Sequence, residues 1–392
     1  MIKKPEVPLA KRDARMPSLD ALRAVAAFSV LLVHWCGWIS GKVPEAPWLQ
    51  QFADTVIQTM LRWYAHEDHE FAGVILFIVL SGFCIHWPQA HLPGAPSWRV
   101  FAVRRFWRIY PVFLAASMTG LLVLHQAVRG GHEHALAIMG YREHEWWHVA
   151  AKLSGVSHFF PGASFEQTFL GNAPLATVVT ECWLYAFYPV VLWLRSKAGW
   201  PTVFAVAGLL YSLCPWIARS GGGFGMTYDS FFCYLIFWVL GAWLAERLKT
   251  GRTAPARTLI VGGFAGLLLQ IVVVMILPVR VGRFVSMLML ASAFGALITG
   301  FARRDLERAA GNSPRQNWLS WLGERSYSIY AFHAPLMAAG LMVALAHGAS
   351  LPPQIAIAIL CAPIFVGMVL YSVIEAPSHR LARKLAARIR IE

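Results

Sequence analysis

Runs of about twenty mainly apolar residues recur along almost the whole chain, and no other feature limits its fold so sharply. A helix rising ~1.5 Å per residue needs about 20 residues to cross the hydrocarbon core of a bilayer. Ten segments qualify: 18–40, 70–88, 109–127, 174–194, 200–218, 229–246, 257–278, 283–302, 322–346 and 353–375. Composition agrees, because 57% of the 392 residues are hydrophobic, 14% are charged and the mean hydropathy is +0.53, more apolar than a globular domain needs. In lipid every backbone polar group must be bonded internally. The chain is therefore expected to be an all-α, polytopic integral membrane bundle of about ten transmembrane helices.

The formal charge of +14 could suggest nucleic acid, but Lys and Arg stand in short groups between the apolar runs, so no nucleic-acid partner is expected. With the N-terminus cytoplasmic, 25 of the 34 basic residues fall on the inner side. Eight fall outside (Lys42, Arg62, Arg129, Arg142, Lys152, Arg219, Arg280 and Arg283), and Arg23 lies within the first span. That asymmetry fits the positive-inside rule with both termini cytoplasmic. The expected organisation is a basic N-terminal segment over 1–17, a membrane domain over 18–376 and a basic tail over 377–392. The outer loop 125–173, rich in His, Trp and Phe, should hold a short surface helix around Tyr141 to Leu153. Neither a cleavable signal peptide nor an appended soluble domain is expected, and no internal repeat points to a solenoid or an inverted-repeat transporter. Six cysteines (Cys36, Cys84, Cys182, Cys214, Cys233 and Cys361) sit in or beside apolar runs without metal or redox spacing, which predicts reduced, buried thiols.

Span one carries Arg23 and His34 in an otherwise apolar helix. Eleven steps of ~100° bring the two to nearly one face, ~16 Å apart along the axis. An Arg at the centre of a span costs about 2.5–3.5 kcal/mol on insertion scales, so such residues mark functional sites. Taken singly, Arg23 could snorkel to the headgroups and His34 could bond to a neighbouring helix.

An Arg followed after ten residues by a His in the first span resembles the hallmark of the acyltransferase-3 family of membrane O-acyltransferases. Gly73-Val-Ile-Leu-Phe-Ile-Val-Leu-Ser81-Gly82-Phe83 is similar to the family's Gly-Val-Asp-Leu-Phe-Phe-Val-Leu-Ser-Gly-Phe, with Ile75 in place of the usual Asp. Arg104-Arg105-Phe-Trp-Arg108-Ile-Tyr-Pro111 resembles the basic segment entering span three. Glu181-Cys-Trp-Leu-Tyr185-Ala-Phe-Tyr-Pro189 matches the Glu-Glu-Gln-Phe-Tyr stretch at Glu181, Tyr185 and Pro189, with Cys182 replacing the second Glu. Ser326-Tyr327-Ser328-Ile-Tyr330-Ala-Phe-His333-Ala-Pro335-Leu336 and Ile374-Glu375-Ala-Pro377 follow its closing motifs.

The resemblance implies transfer of an acyl group, acetyl foremost, from acyl-CoA to a hydroxyl of an extracytoplasmic or membrane-linked glycan, in a bacterial cytoplasmic membrane. His34 would be the general base. Span four runs inward and carries Glu181 near its outer end, so that carboxylate is expected to meet and orient His34. Arg23, Arg104, Arg105 and Arg108 suit the phosphates of coenzyme A, since guanidinium bonds phosphate bidentately, although some also serve as topology anchors. Tyr330 and His333 could stabilise an oxyanion or simply join helices. Tyr185, Ser326 and Glu375 carry over as substrate-site positions. No metal is expected.

Other readings remain open at this point. The chain could acylate a small lipophilic metabolite, or carry anionic lipid or glycan precursors without chemistry. His144-Glu145-Trp146-Trp147-His148 fits a zincin pattern, but without a third ligand it reads better as an interfacial helix anchored by its tryptophans. The run His66-Glu67-Asp68-His69-Glu70 reads as a solvated loop.

Overall fold

The structure is a computed structural model that describes residues 15–64, 72–90, 94–139, 146–155, 170–219, 231–277, 279–309, 316–346 and 350–389. Among the described residues every regular element is helical. In chain order these are α1 (Pro17–Ile39), α2 (Pro47–Tyr64), α3 (Ala72–His86), α4 (Trp98–Gly130), α5 (Glu133–Met139), α6 (Trp146–Leu153) and α7 (Leu175–Arg219). There follow α8 (Phe231–Lys249), α9 (Ala256–Ile276), α10 (Val279–Ala309), α11 (Trp318–Gly323), α12 (Ser326–Leu345) and α13 (Pro353–Leu370). A π-helical turn, Tyr371–Glu375, joins α13 to α14 (Ala376–Ile389).

Among the described residues seven helical stretches are long and apolar enough to cross a membrane, within α1, α4, α7, α9, α10, α12 and from α13 into α14. Each expected span falls on a helix, yet the count differs for three reasons. α3 is apolar but only 15 residues long. α8 ends in Glu246, Arg247 and Lys249, which dilute its hydropathy. α7 merges two expected spans into 45 residues and is interrupted at Gly199, whose φ of 77° leaves the helical region; a left-handed φ is one that glycine adopts without the steric cost other residues incur.

α1 starts on Pro17, whose fixed φ suits a first helical turn. One of its first amide donors is met from outside, because Ser18 N donates to the Asp305 carboxylate of α10 at 2.8 Å, and the Ser18 hydroxyl donates to the same carboxylate at 2.9 Å. α3 runs through the middle of the bundle and is buried along nearly all its length. It crosses α8 at a pair of glycines: a Cβ on Gly82 would lie 1.9 Å from Trp238 O, and one on Gly241 would lie 1.9 Å from Val79 O. Lipid-facing helices show the opposite pattern. Leu268, Met275 and Ile276 of α9 and Phe365 and Val369 of α13 are exposed, apolar surface on a scale that marks contact with membrane rather than water.

α2 was not legible as a span because it is amphipathic: Leu49 and Ala53 pack inward while Trp48, Gln51 and Phe52 face out. Leu49 and Ala53 share an apolar cluster with Trp35 and Ile39 of α1, and polar bonds add to that packing. Ser40 Oγ and Gln50 Nε2 donate to Asp54 at 2.6 and 2.8 Å, and these bonds hold that carboxyl below the usual range. The expected surface helix appears as α6. Among the described cysteines none is in a disulfide, but Cys182 is exposed and Cys84 and Cys361 are only half-buried, Cys84 because it borders a cavity inside the bundle; uniform burial does not hold.

Candidate active site

Most of the expected site residues gather at two levels of the bundle, apart from a separate network of His86, Tyr188, Arg195 and Glu246. At the first, a cavity of about 320 Å³ lies among α1, α3, α4, α7, α12 and the π-helical turn, lined in part by Arg23, Ser81, Cys84, Arg105, Glu181 and Glu375. Arg23 forms an ion pair with Asp20 one turn before it on α1, and its Nη2 donates to Cys84 Sγ at 3.0 Å. α11 can approach this end of α1 because Gly323 has no side chain; a Cβ there would lie 1.7 Å from Asp20 O. Arg15 pairs with Glu324 and, at 3.7 Å, with Asp20.

Glu181 belongs to this level and not to that of His34. Its carboxylate accepts from Ser81 Oγ at 2.7 Å and from the Tyr185 hydroxyl, and the Arg105 guanidinium lies over the Tyr185 ring, 5.8 Å from its centroid. The expectation that Glu181 orients His34 rested on counting from a span end at the membrane surface. α7 instead begins deep in the bundle. Its lead-in, Leu170 to Pro174, is fixed against the second turn of α12, where Asn172 Nδ2 donates to Ala331 O at 2.8 Å and the Tyr330 hydroxyl donates to Pro174 O at 3.0 Å. Non-helical backbone at such depth survives only when protein groups satisfy it. Starting deeper, α7 carries Glu181 down to Ser81.

At the second level His34 meets His333. His34 Nδ1 lies 2.9 Å from His333 Nε2, with ring centroids 5.1 Å apart, and Trp38 stacks on His34 one turn further along α1. His333 is fully buried, and its Nδ1 lies 2.6 Å from Tyr330 O. A carbonyl only accepts, so His333 Nδ1 holds the proton and its Nε2 accepts in the neutral ring. The proton between the rings therefore sits on His34 Nδ1, and His34 Nε2 becomes the basic nitrogen of a half-buried side chain. Tyr330 donates from α12 to the lead-in of α7, as its bond to Pro174 shows.

The remaining expected positions lie at the first level or beside it. Ser326 Oγ donates to Gly323 O at 2.8 Å and stabilises the α11–α12 junction at the edge of the cavity. Glu375 is buried and accepts from Ser328 N at 3.2 Å and Ser328 Oγ at 2.6 Å. Arg104 and Arg108 are exposed on the first turns of α4, with Arg105 half-buried between them. Asp20, Ser81 and Cys84 were missed as site residues, although Ser81 sits in a quoted motif. His144, Glu145 and 66–70 lie outside the described residues, as does the side chain of His148; among the described residues no cluster of three metal-ligating side chains occurs.

A profile of the acyltransferase-3 family, described as an acyltransferase domain, matches residues 16–373. No curated protein and no solved structure matches the chain significantly. The matched stretch spans both levels of the site, from Arg23 and His34 to His333. The chain belongs to the acyltransferase-3 family and is a multi-pass membrane acyltransferase.

Proposed function

We propose that the chain transfers an acyl group, acetyl foremost, from acyl-CoA to a hydroxyl of an extracytoplasmic or membrane-linked glycan, with His34 as general base. The observation that carries this reading is the His34–His333–Tyr330 chain of hydrogen bonds, which leaves His34 Nε2 as the basic nitrogen. His34 removes the proton of the acceptor hydroxyl while its oxygen attacks the thioester carbonyl. The tetrahedral intermediate then collapses, the carbon–sulfur bond breaks, and the coenzyme leaves as a thiolate that takes up a proton.

Depth supports the same reading. Arg23 stands eleven residues before His34 in α1, ~16 Å along the axis, and borders the arginine-lined cavity. Acyl-CoA would come from the arginine side and the acceptor from the other. The arginine side is cytoplasmic on the positive-inside rule. If α3, α8 and both halves of α7 cross the bilayer, ten crossings place both ends on that side.

The reading is tested by incubating membranes that contain the protein with acetyl-labelled CoA and separating lipid, glycan and small-molecule fractions. Label is expected in covalent linkage to glycan. Label that enters only small lipophilic molecules would replace the acceptor, and bound but never transferred label would refute the enzyme.

A further inference from the structure

The inner cavity is balanced in charge: Arg15, Arg23, Arg105 and Arg108 are faced by Asp20, Glu181, Glu324 and Glu375. Beyond Arg105 and Arg108 it borders a second space, a groove of about 480 Å³ between the start of α4 and α14. There the balance is lost. Arg104, Arg105, Arg108, Arg380 and Arg383 line the groove, and no carboxylate is among its described lining residues. Uncompensated guanidinium groups converging on one concave space form a strong site for phosphate oxygens.

A second observation points the same way. Buried polar atoms are nearly always hydrogen-bonded, so exceptions ask for a partner. Among the described residues five buried side-chain atoms have none, and two of these, Arg105 Nε and His379 Nε2, belong to residues that line both this groove and the inner cavity; the carboxylate nearest His379 Nε2, Glu375 Oε1, stands 3.8 Å away, beyond hydrogen-bond distance. The π-helical turn helps to build it. Its wider spacing lets Glu375 turn inward to Ser328 while His379, Arg380 and Arg383 face α4.

We propose that this groove holds the phosphate-bearing nucleotide end of the donor, and that Arg380 and Arg383 of α14 complete a site that Arg104, Arg105 and Arg108 begin. The proposal rests on the acyl-CoA reading and narrows it. The phosphates stay in the groove, and the uncharged pantetheine arm passes through the balanced cavity beside Arg23. The donor is then a free coenzyme A thioester and not a pantetheine thioester on a carrier protein, which has no nucleotide to offer.

The test measures equilibrium binding of coenzyme A, 3′-dephospho-coenzyme A and pantetheine to the full-length protein in nanodiscs of neutral lipid. The double variant Arg380→Gln/Arg383→Gln is compared with wild type and with Arg388→Gln, an exposed arginine of the same helix outside the groove. The double variant is expected to bind coenzyme A at least tenfold more weakly, with a shallower salt dependence, while pantetheine binding and thermal unfolding stay unchanged. Arg388→Gln should match wild type. Equal affinity of the double variant and wild type for coenzyme A would overturn the groove assignment and leave the acyl-CoA reading intact. The same equality, together with loss of phosphatidylglycerol retention by the double variant in a parallel set of nanodiscs containing that lipid, would overturn the assignment and give the groove to a lipid headgroup. A wild-type protein that binds no coenzyme A would refute both.

Discussion

At the scale of single residues, the site depends on one proton shared between two imidazoles. His333 touches neither the arginine cavity nor its contents; it acts through His34 by fixing which ring nitrogen is basic. His333→Leu removes the acceptor and is expected to lower kcat by up to about 10⁴-fold, the loss seen when tautomer control fails in a serine protease triad. KM for acyl-CoA should stay near wild type. His333→Gln can still accept from His34 and should recover part of the rate, which a merely packing role would not produce. A parallel fall of kcat and thermal stability in both variants would contradict the positioning role. Sequence made Arg23, His34 and His333 visible as polar residues in apolar helices. It did not disclose the His34–His333 bond, which joins positions 299 apart. Glu181 was misplaced for a different reason: its depth follows from the buried lead-in Leu170 to Pro174, and a hydropathy count treats that segment as surface.

Among the elements, apolar length was legible and close approach was not. α1, α4, α9, α12 and α13 follow directly from runs too apolar for water, whereas α2 escaped because half its surface is polar. The break at Gly199 could be read as a boundary between two spans, and the structure agrees: the backbone leaves the helical region there, so 175–219 is two helical segments that meet at a kink. The α3–α8 crossing depends on Gly82 and Gly241, and a side chain on either must force the backbones apart. Overpacking of this kind costs about 1–3 kcal/mol, occasionally more. Gly82→Val should therefore lower the midpoint of thermal unfolding in detergent and reduce the folded fraction on size exclusion. Wild-type behaviour of that variant would show that the two helices cross less closely than described.

For the whole molecule, the two levels of the site follow from how the bundle sorts charge. Positive groups collect where α1 begins, α4 begins and α14 ends the chain, and the histidine pair lies nearer the other face. This separation would let a charged donor and a hydroxyl acceptor meet inside a lipid barrier that neither crosses. It was half visible in sequence: the basic segments and the Arg23 to His34 spacing gave the two depths, and the ion pairs of Asp20 and Glu324 with Arg15 and Arg23, with Glu181 and Glu375 gathered at the same cavity, emerged only from the fold. The most direct measurement is single-turnover transfer from labelled acetyl-CoA in membranes carrying wild type or His34→Ala, read alongside coenzyme A binding by the same samples. Transfer should fall by about 10²- to 10⁴-fold, the usual contribution of a general base, with binding retained. Undiminished transfer by His34→Ala would contradict the assignment of the base.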